Sequence, residues 1–533
     1  VEPDPAAGLP DTRTNLEQFH PERSHLGTRE FSAPQVVSEK REQAIRERVK
    51  QQSELVREKA LTAQANVLER RISMDFLNAL DSFMWGKYMM AALFLTGIVL
   101  TIRLRGVQFR KLGYALKLAF TGASLKSKSE GEGDITPFQA LMTTLAATVG
   151  NGNIAGVATA IALGGPGAPL WMWITALLGM ATRGTEAMLG VKYRHKADDG
   201  TMIGGAFYYL EDGASEYIGK GLGKILAIAF AFAGMIAAPG IGCMVQSNSV
   251  ALSITTIFHF SSVTTANIVI GVVLAVLTAI VILGGVSRLG AVAEWFVPFM
   301  AVIYIGGGLL IILLKISALP HAIALIFHSA FSGQAAVGGF AGAAVAKGIQ
   351  FGVARGIFSN EAGLGTGSLA HSAAKTADPG RQGLIGMTGT FIDTIVTCSI
   401  TALAIVMTGA WQSGETSTAL TITAFSSVLG IAGGYIVTIG SALFGYSTIL
   451  GWSYYGEQCT EYLFGSITNI PYRLLFVVAT FIGAVAKLSL VWTLSDVLNG
   501  FMAIPNLVGL LVLSGVAAKT LNAYLSSVAT AKI

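Results

Sequence analysis

The sequence predicts an all-α polytopic membrane protein, and three observations carry that reading. Hydrophobic residues make up 52% of the 533 and charged residues only 13%, whereas a soluble globular chain carries about 25% charge. Apolar runs of spanning length, about 20 residues each, recur from Met84 to the C-terminus. The connections between those runs alternate between basic and uncharged, as the positive-inside rule expects of a multi-span chain.

Residues 1–72 are a different material, a charged N-terminal extension expected to be helical or partly disordered. Pro3, Pro5, Pro10, Pro21 and Pro34 interrupt its first part, while 38–72 lacks Pro and Gly and is rich in helix formers. Its apolar positions (Ile45, Val49, Val56, Leu61, Val67) are too sparse for a strong heptad seam, so a solvated segment is favoured over a coiled coil. The extension holds twelve Lys/Arg and twelve Asp/Glu and has no weight in orienting the chain. No signal-peptide n-region and h-region precede Met84.

Eleven spans are expected from there, at roughly 84–103, 137–163, 169–190, 223–252, 267–285, 292–314, 340–372, 384–411, 433–455, 471–491 and 496–518. The seventh is Gly-rich and carries Lys347, Arg355 and Glu361, so hydropathy supports it least. The first connection contains Arg103, Arg105, Arg110, Lys111, Lys117, Lys126 and Lys128, and the third Lys192, Arg194, Lys196, Lys220 and Lys224. Arg288 follows the fifth span, and Lys375 and Arg381 the seventh. The loops after the second and fourth spans have neither Lys nor Arg. The alternation places the N-terminus outside and the C-terminus in the cytoplasm of a plasma (bacterial inner) membrane.

If the first span and its basic loop (73–136) are peripheral, ten spans remain. They divide into a five-helix half at 137–314 and another at 315–533, the second ending in a C-terminal tail. An odd number of spans per half would invert one half against the other, an arrangement that puts transport sites at the repeat interface. Each half opens with an interrupted helix.

The first interruption is Thr148–Asn153, TVGNGN. Gly costs about 1 kcal/mol against Ala in a helix interior, and Asn prefers caps and turns. An unwound turn exposes carbonyls that suit Na⁺ and amides that suit a carboxylate. Close helix packing would explain the glycines, but not two asparagines beside them. The second interruption is 354–367, ARGIFSNEAGLGTG. Charges at Arg355 and Glu361 are costly in a span unless paired or facing a cavity; a cytoplasmic loop with an N-cap at Ser359 is the competing reading. Gln246 after Pro239-Gly240, Asp393 in the eighth span, and Ser441, Ser447, Thr448 and Trp452 in the ninth are further polar points. Singly, each is best read as an interhelical hydrogen bond; together they suggest a polar cavity near mid-membrane. Ser447 and Thr448 hydroxyls could complete a cation site.

An enzyme is disfavoured: no GxSxG, Walker A or dinucleotide motif is present, and no metal-spaced His or Cys pair. Cys243, Cys398 and Cys459 are isolated. The +5 net charge comes without a basic, aromatic-interleaved patch, so no nucleic-acid partner is expected. A channel is the stronger rival, since broken Gly-rich helices also form filters, but no repeated filter loop is present.

From about Asp75 onward the chain resembles the alanine/glycine:cation symporter family. The resemblance lies in WGKYMM…TIRLRGVQFRKL, TVGNGNIAGVATAIALGGPGAPLWMW, GMATRGTEAMLGVKYR, GVARGIFSNEAGLGTGSLAHSAAKT, RQGLIGMTGTFIDTIVTC and FGYSTILGWSYYGE. It implies the leucine-transporter-like fold, a 5+5 inverted repeat with one extra N-terminal helix, and sodium-coupled uptake of alanine- or glycine-like amino acids. By position, it implies that Gly150, Asn151, Gly152 and Asn153 hold the substrate's carboxylate and amine. Gln246 would contact it, and Phe358 and Trp452 would close the side-chain pocket, with Phe351 a second candidate for that wall. The Ala146 and Val149 carbonyls with Ser447 and Thr448 would hold Na⁺, the coupling ion; no organic cofactor is implied. The chain departs from the family's pattern in four places. Asn151 stands where Thr is usual, Gly205-Ala206-Phe207-Tyr208 replaces GGPMY, Thr366-Gly367 replaces SAP, and the charged extension is atypical. Coupling to protons would bring Asp393 or Glu361 into play.

Overall fold

The computed structural model describes residues 75–77, 79–121, 131–197, 200–258, 260–332, 341–486 and 489–530. The 1–72 extension, expected to be helical or partly disordered, lies outside the described residues. In order, the main helices are α1 (Lys87–Arg103), α2 (Pro137–Thr148), α3 (Ala155–Gly164), α4 (Ala168–Lys192), α5 (Lys220–Ala237), α6 (Val245–Ile257), α7 (Val263–Ile282) and α8 (Gly285–Leu314). They continue with α9 (Leu319–Ser332), α10 (Ala341–Asn360), α11 (Thr366–Ser372), α12 (Pro379–Thr390), α13 (Ser399–Thr408), α14 (Ser417–Leu429) and α15 (Ile431–Phe464). The last three are α16 (Asn469–Val485), α17 (Ser489–Val512) and α18 (Ser514–Thr530). A two-stranded antiparallel hairpin, β1 (His195–Lys196) with β2 (Met202–Ile203), follows α4.

Among the described residues, eight helices are long and apolar enough to cross a membrane, or nine if the bent pair 137–148 and 151–164 is one span. Helices also occupy the third and seventh expected spans, as α4 and α10, but these fall outside that set. Arg183, Glu186 and Lys192 in α4, and Lys347 and Arg355 in α10, keep them polar. Burial explains how α4 tolerates this: both Arg183 and Glu186 are enclosed, with α10, α11 and α12 packed around the helix. By contrast α7 and α8 expose Val269, Val272, Val273, Leu309 and Leu313, an apolar surface suited to lipid. Helices α9 and α14 lie between the expected spans, and α18 begins inside the last one and runs past it.

Local sequence explains the elements that position the centre of the molecule. Thr136 caps α2: its hydroxyl accepts from Gln139 N–H at 3.1 Å while Gln139 Oε1 accepts from Thr136 N–H at 2.9 Å. Pro137 takes the first turn, where its missing donor costs nothing. Gln139 Nε2 then donates to Glu294 of α8 at 2.9 Å. Between α5 and α6, Ala238–Met244 winds as a π-helix around Pro239. Proline lacks an N–H, and the ladder widens there instead of ending. A second π segment, Phe391–Cys398, links α12 to α13 and carries Asp393 fully buried.

The two interrupted helices lie close together at one end. Arg194 donates to the carbonyls of Ser372, Ala374, Thr376 and Glu132 at 2.6–3.0 Å. This ties the segment after α11 to the segment that leads into α2, where Ile135 bridges Ala374.

Candidate functional site

The last helical bond of α2 runs from Val149 N–H to the Leu145 carbonyl at 2.8 Å. Gly150 is then extended (φ −129°, ψ −162°), Asn151–Asn153 form one 3₁₀ turn, and α3 leaves at 58° to α2. Asn153 staples the break. Its Oδ1 accepts the Gly150 N–H at 2.9 Å, the donor that an unbroken helix would give to Ala146. Its Nδ2 donates to Asp393 Oδ1 at 2.7 Å. Asp393 also accepts from Ser359 at 2.9 Å and Thr394 at 2.7 Å. The backbone bonds of the turn start from Asn153 and Ile154; none of these bonds uses the N–H of Asn151 or Gly152.

Close approach demands glycine at 150 and leaves only tight room at 152. A Cβ on Gly150 would sit 2.4 Å from Thr448 Oγ1, and one on Gly152 would sit 3.3 Å from Phe358 Cδ1. The turn therefore presses its bare backbone against α15 on one side and α10 on the other.

A small cavity of about 20 Å³ lies at this turn. Gly150, Gly152, Gln246, Phe358, Thr448 and Trp452 line it, joined by Ala147, Thr148, Ile241, Glu361, Leu364 and Asn499. Five of the seven expected substrate-binding residues are thus brought to one wall. The side chains of Asn151 and Asn153 point elsewhere. Asn151 accepts from Ser441 at 2.6 Å and donates to Gln246 Oε1 at 3.2 Å, so it meets the cavity through Gln246. Phe351 lines a neighbouring chamber, leaving Phe358 as the α10 aromatic in this wall.

The four expected ion ligands are also neighbours. Ala146 and Val149 sit at the end of α2, and Ser447 Oγ lies 3.3 Å from the Val149 carbonyl. Ser447 and Thr448 both donate to the Phe444 carbonyl, at 2.8 and 3.0 Å. Ser447 also donates to the Val149 carbonyl; two hydroxyls beside the carbonyls at the end of α2 make an oxygen-only set of the kind a hard cation takes.

Glu361 is the site residue that sequence reasoning left outside the binding set. It follows α10 in the left-handed region (φ 54°), a conformation costing about 1–3 kcal/mol in a residue with a Cβ. Its Oε1 accepts from Trp452 Nε1 at 2.9 Å and its Oε2 from Thr366 at 2.6 Å. Arg183 lies 3.6 Å from Glu361 and 3.5 Å from Glu186. Two carboxylates and one guanidinium, all buried, leave this cluster acidic beside the cavity. The signal was present, since a lone acid in a Gly-rich break is costly. Its partner Arg183 is 178 positions away. Asn499 had no readable signal, being one of two amides in a largely apolar helix.

A many-helix membrane protein with a small cavity at a broken helix has an architecture common among membrane transporters. Sequence comparison narrows this class. Residues 70–532 match the sodium:alanine symporter family, and the chain belongs to it. It is 52% identical over 458 residues to the sodium/alanine symporter AgcS of Methanococcus maripaludis, covering 85% of this chain and 98% of that one. An uncharacterized transporter of Haemophilus influenzae is 46% identical over 441 residues, 82% of this chain and 93% of its own. The amino-acid carrier protein AlsT of Bacillus subtilis is 35% identical over 453 residues, 84% and 92% of the two chains.

Proposed function

We propose that the protein carries small neutral amino acids, alanine or glycine, into the cell by symport with Na⁺ and alternating access. One observation carries the reading: the uncharged break of α2 faces a small cavity closed by Phe358 and Trp452, with Ser447 and Thr448 beside the same turn. The substrate carboxylate would meet the backbone of Gly150–Gly152. Its side chain would pack against Phe358, Trp452 and Ile241, a space that rewards a methyl group and excludes larger ones. Gln246 would contact the substrate, oriented by Asn151; Asn153 would hold the turn in shape. Na⁺ would lie among Ala146, Val149, Ser447 and Thr448, tying α2 to α15.

In this reading Na⁺ binds first and orders the turn, and the amino acid then binds against it. Binding favours the occluded state only by its differential affinity for that state. Low internal Na⁺ and a potential worth about 2.3 kcal/mol per charge per 100 mV drive release. We also read the chain as eleven spans, a peripheral first helix before two inverted halves at 137–314 and 315–533, with the N-terminus outside. The two broken helices at the start of each half support that division.

Uptake of labelled L-alanine into proteoliposomes under an imposed Na⁺ gradient tests the proposal. The expected result is accumulation that collapses when Na⁺ is equal on both sides. Accumulation that follows a proton gradient instead would replace Na⁺ by H⁺ coupling, for which buried Asp393 and Glu361 are the carriers at hand. Large single-channel currents would make the protein a channel.

A further inference from the structure

A second chamber, of about 180 Å³, adjoins the central cavity. Its walls come from the stretch just before α1 (Asp81, Trp85), from α10 (Phe351, Arg355, Phe358) and from α17 (Asp496). Phe358 lines both spaces and is the partition between them. Trp85 is fixed in the wall by its Nε1, which donates to the Asp496 carbonyl at 2.9 Å. Arg355 lies 5.5 Å from the centre of the Phe358 ring.

The charges in this chamber are arranged for a guest. Asp81 and Asp496 present two carboxylates and Arg355 one guanidinium to the same space. Among the described residues no ion pair joins Arg355 to either acid. Among the described residues Asp81 Oδ1 has no hydrogen-bond partner, a costly condition for a buried oxygen unless something else meets it. An ammonium group between the carboxylates and a carboxylate on Arg355 would satisfy all three. Trp85, Phe351 and Phe358 offer apolar faces for a short side chain.

We propose that this chamber is a second binding site for a zwitterionic α-amino acid, next to the central cavity and divided from it by Phe358. The inference rests on the amino-acid reading above and extends it. It gives the peripheral first span a role, since Asp81 and Trp85 lie at the start of that span. With the N-terminus outside, the chamber is where substrate waits before Phe358 moves.

Equilibrium binding of labelled L-alanine to the purified full chain in saturating Na⁺ tests this. The wild type is expected to bind two molecules per chain. Asp81→Asn and Arg355→Gln should each weaken one of the two isotherms about tenfold, the loss of one charge-assisted contact, and leave the other unchanged. The unchanged isotherm also shows that the variants fold. Trp452→Ala should remove the other isotherm and spare the one that depends on Asp81. One alanine per chain, lost in Trp452→Ala and unmoved by Asp81→Asn and Arg355→Gln, overturns the chamber while leaving the central site standing. Two alanines with neither isotherm altered by Asp81→Asn or Arg355→Gln also overturns it. A shift confined to the Na⁺ dependence of a single alanine site would make the chamber a cation site and overturn the proposal. No alanine bound at all overturns the amino-acid reading together with the chamber.

Discussion

The two helix breaks meet at one cavity but satisfy their backbones in opposite ways. The break after α2 is uncharged. One amide side chain, Asn153, closes it, and the N–H groups of Asn151 and Gly152 stay outside its bonds. The break after α10 is filled with charge. Glu186 Oε1 accepts from Gly363 N–H at 2.9 Å, Gly365 N–H at 3.0 Å and Asn506 Nδ2 at 2.8 Å. Asn506 also donates to the Gly363 carbonyl at 2.8 Å, and Tyr209 holds Asn506 from behind. Asn360 Oδ1 takes the Ala362 N–H at 3.0 Å. A break whose backbone groups are consumed by side chains is framework. A break that leaves them over is free to receive a ligand, because an unmade hydrogen bond in an apolar interior is strongly unfavourable.

The largest effect that would test this contrast is at Arg183. Arg183→Leu leaves Glu186 and Glu361 as uncompensated buried charges, and breaking such a pair costs about 3–5 kcal/mol. Thermal unfolding in detergent should show a large drop, whether or not Na⁺ and alanine are present. Asn153→Ala is expected to be milder in stability, about 1–3 kcal/mol for the unpaired Gly150 N–H and Asp393, yet to abolish uptake. Equal destabilisation by the two variants would erase the distinction between the breaks. Gly152→Ala pushes a methyl to 3.3 Å from the Phe358 ring. The KM for alanine should rise about tenfold, or about 1.4 kcal/mol, with the melting temperature nearly unchanged. The smallest effect is expected at Asn151→Thr. Shortening the relay from Ser441 through Asn151 to Gln246 should alter the alanine-to-glycine preference a few-fold, within the about 0.5–1.5 kcal/mol of one hydrogen bond. Competition uptake reads it, and an unchanged preference would remove Asn151 from the specificity path.

Much of the helical framework was legible along the chain. Apolar runs located the eight or nine helices long and apolar enough to span, and the Gly-Asn alternation at 150–153 located the first break to the residue. The polar run at 359–361 marked the second. What could not be read was direction. Asn151 and Asn153 have the same side chain two positions apart, and only the neighbours decide where each points: Ser441 and Gln246 for one, Asp393 and Cys398 for the other. Phe358 and Phe351 differ likewise. They lie two turns apart on α10, and the site of contact with the α2 turn selects Phe358 for the central cavity.

Composition and local propensity therefore determined that this chain is helical, lies in a membrane, and breaks its helices at two places. Those are consequences of burial in lipid and of what Gly, Asn and Pro do to a helix within a few residues. The tertiary structure alone decided that Arg183 neutralises one of two acids and that Glu361 fixes Trp452. It also decided that Phe358 lines two chambers. Each of these joins residues from different helices, often more than 90 positions apart. Long-range contacts are set by how helices pack, which no local pattern encodes.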